Sequence, residues 1–169
     1  ENGKNIKNTE MELDAVHALF TGYAEKAAHL YGETLPGGNQ MTSDSRDLVF
    51  TRWEPLGVVA CILPFNFPVE LYAQKVAPAL AAGNAIIIKP SVETPLSSIY
   101  LSELIIECGV EPKALQVITG HGSVVGSALA SSDKIDAVSM TGSTEAGISI
   151  YVSAAKKLSR CFLELGGND

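Results

Sequence analysis

The 169-residue sequence is short of the residues that disulfide scaffolds and metal sites need. It has three cysteines, Cys61, Cys108 and Cys161, far apart and with no CxxC pair. Its three histidines, His17, His29 and His121, are scattered. A disulfide framework is excluded, and no Asp, Glu, His or Cys cluster has metal-ligand spacing, so no metal site is expected. Separated thiols in odd number suit a reducing compartment, and a cytoplasmic protein is expected. Positive charge is also scarce: 12 Lys and Arg stand against 19 Asp and Glu, for a formal net charge of -7. That balance argues against nucleic acid and against anionic membrane as partners. No apolar run is long enough to cross a bilayer, because the best stretch, Val76 to Ile88, is broken by Pro78, Gly83 and Asn84. The polar opening residues do not suggest a secretory leader.

What is present is apolar residue in quantity, 46% of the chain against 18% charged, which fits one globular domain with a sizeable core. Residues 1–9 are polar and expected to be loose. From Glu10 to Tyr31 apolar residues recur every three to four positions, predicting a helix that stops at Gly32. Leu35 to Asn39 reads as a turn-rich linker and Asp47 to Glu54 as a strand.

From Leu56 the pattern becomes a repeat. Strands are predicted at Gly57–Leu63, Ala85–Lys89, Leu115–Thr119, Ile135–Met140 and Arg160–Leu165. Helices between them are predicted at Val69–Ala82, Pro95–Cys108, Ser123–Ser131 and Glu145–Ala155. Continuous apolar runs mark strands buried on both faces, and strand–helix alternation with short loops predicts an α/β fold: a Rossmann-like open parallel sheet of about five strands flanked by helices. The N-terminal helix and strand lie outside the repeat. The polar opening and the ending just after Gly166-Gly167 are those expected of a piece of a longer protein.

In such a sheet the loops after strand C-termini share one edge, where ligands bind. Five loops qualify: Pro64–Pro68, Lys89–Thr94, Gly120–Ser123, Thr141–Thr144 and Glu164–Gly167. Together they offer an amide, a lysine, glycine N–H groups, hydroxyls and a carboxylate, which predicts a small-molecule site. Asn66, framed by two prolines, reads either as an Asx turn or as a fixed N–H donor for a developing oxyanion. Lys89 is either a snorkelling side chain or a cation beside ribose or phosphate. Ser143 is either a helix N-cap or a phosphate contact at a helix N-terminus. Gly120-His-Gly-Ser-Val-Val-Gly126 misses the dinucleotide fingerprint by one residue. Glu164 is a lone acid at a strand end.

Taken jointly, Pro64-Phe-Asn-Phe-Pro68, Gly83-Asn-Ala-Ile-Ile-Ile-Lys-Pro90, Met140-Thr-Gly-Ser-Thr-Glu-Ala-Gly147 and Leu163-Glu-Leu-Gly-Gly167 resemble the NAD(P)-dependent aldehyde dehydrogenase superfamily, in its order and near its spacing. The resemblance implies a dinucleotide-binding domain over residues 56–169, truncated before the catalytic domain, with residues 1–55 a packing or oligomerisation segment. It implies aldehyde oxidation through a cysteine thiohemiacetal and thioester. Asn66 matches the oxyanion-hole amide and Glu164 the general base. Leu63, Pro64 and Phe65 match the cofactor channel. Lys89 and Ser91 match the ribose side, Gly122 the adenine side and Ser143 a pyrophosphate contact. Gly142 falls near the nicotinamide, and Thr141, Leu165 and Gly166 are expected as further cofactor contacts. The resemblance further implies a small-molecule aldehyde, possible semialdehydes among them, and a homodimer or homotetramer.

Two departures are visible. None of the three cysteines matches the family nucleophile, which follows the Glu-Leu-Gly-Gly motif at a distance. And Val92 stands where NAD-preferring members often carry an acid, so the cofactor is expected to be NAD or NADP, with NADP accepted. Rival readings are a non-catalytic nucleotide-binding scaffold and a coenzyme A-acylating or acyl-phosphate-reducing relative.

Overall fold

The computed structural model describes residues 1–36 and 48–167. Gly37 to Asn39 of the expected linker, and Asp47 of the expected strand, lie outside the described residues.

The chain begins with helix α1 (Ile6–Ala27), then β1 (Thr34–Leu35) and β2 (Val49–Phe50), which form a separate antiparallel pair. The repeat follows as β3 (Val58–Ile62), α2 (Glu70–Ala81), β4 (Ala85–Lys89), α3 (Pro95–Glu107), β5 (Leu115–Val117), α4 (Ser127–Ser131), β6 (Ala137–Gly142), α5 (Thr144–Ala155) and β7 (Arg160–Leu165). The five strands make one parallel sheet in the order β5-β4-β3-β6-β7. The expected α/β architecture is therefore present.

Both faces of the sheet are covered, as the apolar runs require. Along β3 the side chains alternate between two cores. Val59, Cys61 and Leu63 join Tyr72 and Val76 of α2 and Ile86 and Ile88 of β4 on one face. Ala60 and Ile62 join Leu129, Met140, Ile150 and Ala154 on the other. Phe20 of α1 packs against the first core, so the N-terminal helix lies over α2.

Four local expectations need correction. Residues 1–9 are not loose: Asn5 caps α1, its side chain accepting from Asn8 N at 2.9 Å, and Glu1, Asn2 and Lys4 bond to distant residues. Helix α1 ends at Ala27 with Ala28 as its cap, not at Gly32. The strand expected over 47–54 shrinks to Val49–Phe50, because its partner β1 is two residues long. The helix expected from Ser123 begins instead as a single π-helical turn, Gly122–Gly126, before α4.

Candidate active site

The chain runs outward from β3 to β4 and β5, then returns to β6 on the other side of β3. The loops after β3 and β6 therefore diverge, leaving a crevice at the strand C-termini where the order reverses. A cavity of about 370 Å³ lies there, lined by Pro64, Phe65, Asn66, Thr141, Gly142, Ser143, Glu164, Leu165 and Gly166. Residues 100 positions apart in sequence thus share one small space.

Each side chain is placed by its element. Asn66 is exposed in the loop between β3 and α2. Glu164 is exposed near the end of β7, in register with Thr141 of β6. Thr141 Oγ1 is buried and has no hydrogen-bond partner among the described residues. A buried hydroxyl left so is costly unless a ligand or water completes it. Ser143 caps α5, its Oγ accepting from Ala146 N at 3.2 Å. Capping occupies one lone pair and leaves the hydroxyl hydrogen free to donate outward, so both readings of Ser143 can hold at once. Thr144 Oγ1 donates to Gly166 O at 3.5 Å, tying the start of α5 to the end of β7.

Ser143 also lines a second cavity of about 320 Å³, with Gly122, Ser123, Ser127, Met140 and residues of α5. The two spaces flank the α5 N-terminus, where N–H groups and the helix dipole favour an anion. Lys89, Ser91 and Leu63 line neither cavity. Lys89 is buried, not snorkelling: its ammonium donates to Pro90 O at 2.8 Å, and its stem lies below Gly126. Burial holds its pKa below the ordinary lysine range. Ser91 Oγ accepts from Glu93 N at 3.3 Å. Leu63 is buried and ties β3 to β4 through Leu63 N donating to Lys89 O at 3.0 Å. An orphaned hydroxyl and a helix N-terminus suit a phosphate-bearing nucleotide.

Two buried charges escaped the sequence reading. Lys75 of α2 is 7% exposed and donates to Ser139 Oγ at 3.2 Å. Burial pushes its pKa down, while Cys61 and Glu164 nearby push it up. The signal was present: Lys75 follows Tyr72 by three positions, so it shares the buried face of α2. Glu12 of α1 is 3% exposed and serves the loop after β3. Besides Lys4, its partners are the backbone N–H groups of Val69 and Glu70, nearly sixty positions away, which nothing in its own surroundings in sequence marks.

None of the three cysteines lines the cavity. Cys61 is buried, and burial pushes its thiol up to about 12, opposed by Lys75. Cys161 is half-buried, its thiol also raised by burial. Cys108 is exposed at the end of α3. No group of three or more possible metal ligands occurs among the described residues, and no helix there is long and apolar enough to cross a membrane.

A family model described as the aldehyde dehydrogenase family matches residues 1–169. A 2,5-dioxopentanoate dehydrogenase from Saccharolobus solfataricus is 42% identical over 100% of this chain and 35% of its own. The crystal structure of an E. coli NADP-dependent enzyme superposes with a TM-score of 0.92 at 36% identity, covering 98% of this chain and 34% of that one. A glyceraldehyde-3-phosphate dehydrogenase from Methanocaldococcus jannaschii, complexed with NADP, superposes with a TM-score of 0.88 at 35% identity, covering 98% and 35%. The chain spans about a third of the length of the curated relatives it matches.

Proposed function

The chain belongs to the aldehyde dehydrogenase family, and from that premise we propose that the whole protein oxidises an aldehyde to a carboxylate with NAD or NADP. The observation that carries the reading is the meeting of the Asn66 amide and the Glu164 carboxylate in one crevice beside the α5 N-terminus. Residues 56–169 are the nucleotide-binding part, and residues 1–55 support it.

The roles follow from the chemistry of each group. Asn66 donates its side-chain N–H to the carbonyl oxygen as negative charge grows there. Glu164, facing the same cavity, takes a proton from the attacking water or from the nucleophilic thiol. That thiol comes from the remainder of the whole protein, because none of the three cysteines here lines the cavity. Bound nicotinamide supplies the hydride acceptor. Ser143 and the first turn of α5 hold the pyrophosphate. Lys89 and Ser91 serve the ribose side and Gly122 the adenine side. Leu63, Pro64 and Phe65 wall the channel, and Thr141, Gly142, Leu165 and Gly166 lie toward the nicotinamide. The substrate is a small aldehyde, semialdehydes included. The whole protein is a cytoplasmic homodimer or homotetramer.

Val92 is 45% exposed beside Ser91 and carries no charge to repel a 2′-phosphate, which favours acceptance of NADP. The test is oxidation of a panel of aliphatic aldehydes and semialdehydes by the whole protein with each nucleotide. Turnover with NADP, and loss of NADP but not NAD affinity by about tenfold in Val92→Glu, is the expected result. No turnover with any aldehyde, or a clear wild-type preference for NAD, overturns the corresponding half of the reading.

A further inference from the structure

We propose that the first twelve residues form a strap whose Asn2, Lys4 and Glu12 are positioning residues for the loop that presents Asn66. The inference rests on the role given to Asn66 above, but its structural part stands on separate contacts.

The three side chains grip successive parts of one short loop. Asn2 Nδ2 donates to Phe65 O and to Asn66 O, each at 3.2 Å. Asn2 Oδ1 accepts from Lys4 N at 3.1 Å, which fixes the end of the amide that faces the loop, since two carbonyls need an N–H₂. Gly3 between them has φ of 76°, a left-handed conformation that lets both neighbours turn to the same loop. The Lys4 ammonium lies 3.6 Å from the centre of the Phe67 ring and 2.5 Å from Glu12 Oε2. Glu12 Oε1 in turn accepts from Val69 N at 2.9 Å and Glu70 N at 3.1 Å, free donors at the start of α2. The Lys4 and Glu12 side chains are only 12% and 2% exposed, so the pair is screened little by water.

The carbonyls of Phe65 and Asn66 are the two peptide oxygens on either side of the Asn66 Cα. Holding both fixes the direction in which the Asn66 side chain leaves the backbone. An oxyanion donor gains its value from being in place before charge develops, and a misplacement of about 1 Å costs up to about 100-fold. A strap that merely glued the fold together would have no reason to converge on this loop. The chain offers an internal contrast: Glu1 binds the start of α3, accepting from Leu96 N at 2.7 Å and Ser97 N at 3.1 Å, and its carboxylate makes no hydrogen bond to the Asn66 loop among the described residues.

The experiment uses the whole protein with Asn2→Ala, Lys4→Met, Lys4→Arg and, as the contrast, Glu1→Ala. Two readouts are taken: backbone hydrogen exchange of residues 64–72, and kcat set against nucleotide Kd. Asn2→Ala and Lys4→Met are expected to speed exchange of that segment about tenfold, with the rest of the sheet unchanged. They are expected to lower kcat by about 10- to 100-fold while Kd stays within about twofold. Lys4→Arg should recover most of the loss, because it keeps the charge, the ring contact and the carboxylate pair. Unchanged exchange in the segment overturns the proposal. So does loosening spread evenly through the sheet, or an equal effect from Glu1→Ala. Should Lys4→Met not fold, Asn2→Ala decides alone, since it removes three hydrogen bonds and no buried charge. Should the wild-type protein oxidise no aldehyde, the reading of function fails while the exchange comparison still decides whether the strap holds the loop.

Discussion

The two groups assigned to chemistry stand on unlike ground. Asn66 follows β3, the central strand, which pairs on both sides and is buried on both faces. Its loop is bonded by Asn2 and runs into a helix whose first N–H groups are held by Glu12. Glu164 is on β7, which pairs only with β6 among the described residues and whose side chains alternate between exposed and half-buried. No hydrogen bond to its carboxylate is seen among the described residues. The contrast matches what each task needs. An oxyanion donor works by standing still, whereas a base must meet a proton that arrives at a particular moment. A centre-to-edge gradient in rigidity would then run across a single cavity.

The largest test of this contrast uses conservative changes at both positions in the whole protein. Glu164→Gln removes the base and should cost about 10²- to 10⁴-fold in turnover. Asn66→Ala should cost about 10²- to 10³-fold. The discriminating pair is milder. Glu164→Asp keeps a carboxylate on the less buried strand and should retain a tenth or so of the activity. Asn66→Asp keeps shape but loses the donor, and should be as impaired as Asn66→Ala. Steady-state rates for the four variants suffice. A Glu164→Asp enzyme as inactive as Glu164→Gln would show that the edge is as exacting as the centre.

The same contrast explains what could be read from the residues alone. The sheet was legible because strands buried on both faces leave apolar runs, and because Gly83, Pro90 and Gly109 punctuate the helices between them. The crevice was legible because parallel strands carry their C-terminal loops to one edge, which brings Asn66, Ser143 and Glu164 together. Lys75 and Glu12 were not, because a charged residue on a helix gives no local sign that its face is buried. Their burial depends on partners such as Ser139 and Val69, 64 and 57 positions away. The polar N-terminus looked loose for the same reason, since the bonds that tie it to the rest of the fold, from Glu1 and Asn2, reach residues more than sixty positions away. Lys89 was given a role from the resemblance, but its ammonium is turned back on Pro90, a geometry no local pattern encodes.

A packing test comes next in size. Ile62 of β3 and Leu163 of β7 belong to the same core, the first 6% exposed and the second only packed against its margin. Ile62→Ala should cost about 2–5 kcal/mol, because the surrounding side chains cannot collapse into the space left. Leu163→Ala at the edge should cost less than half as much, since water can replace part of what is lost. Urea unfolding of both variants measures the difference. Equal costs would mean that α5 holds β7 as firmly as the sheet holds β3; Gly147, whose added Cβ would lie 2.5 Å from Leu165 Cδ2, is the close contact that would have to be responsible.

The last comparison separates two thiols. Burial pushes Cys61 from an ordinary 9.0 up to about 12, with Lys75 pulling the other way. Its folded value lies above its unfolded one, so its contribution is intact below pH 9 and is lost as pH rises from 9 towards 12. Over that window stability should fall by at most about 1.4 kcal/mol per pH unit for this group. Cys161, raised by burial but half in reach of water, should give a shallower fall. Lys75 and Lys89 have the opposite sign: burial lowers their folded values, so stability rises as pH climbs from those values towards 10.5. Lys89 is untouched by either change and drops out of a comparison of slopes; Lys75 does not in Cys61→Ala, because the Cys61 charge that raises its value is gone and its rise in stability starts at lower pH. Cys61→Ala should flatten the alkaline limb of a urea-midpoint profile between pH 8 and 11, and Cys161→Ala should flatten it less. Any cavity left by Cys61→Ala lowers the whole curve without changing its slope, so the two effects separate. Identical slopes in the two variants would place the edge strand in surroundings as dry as the centre, and the gradient proposed between Asn66 and Glu164 would lose its physical basis.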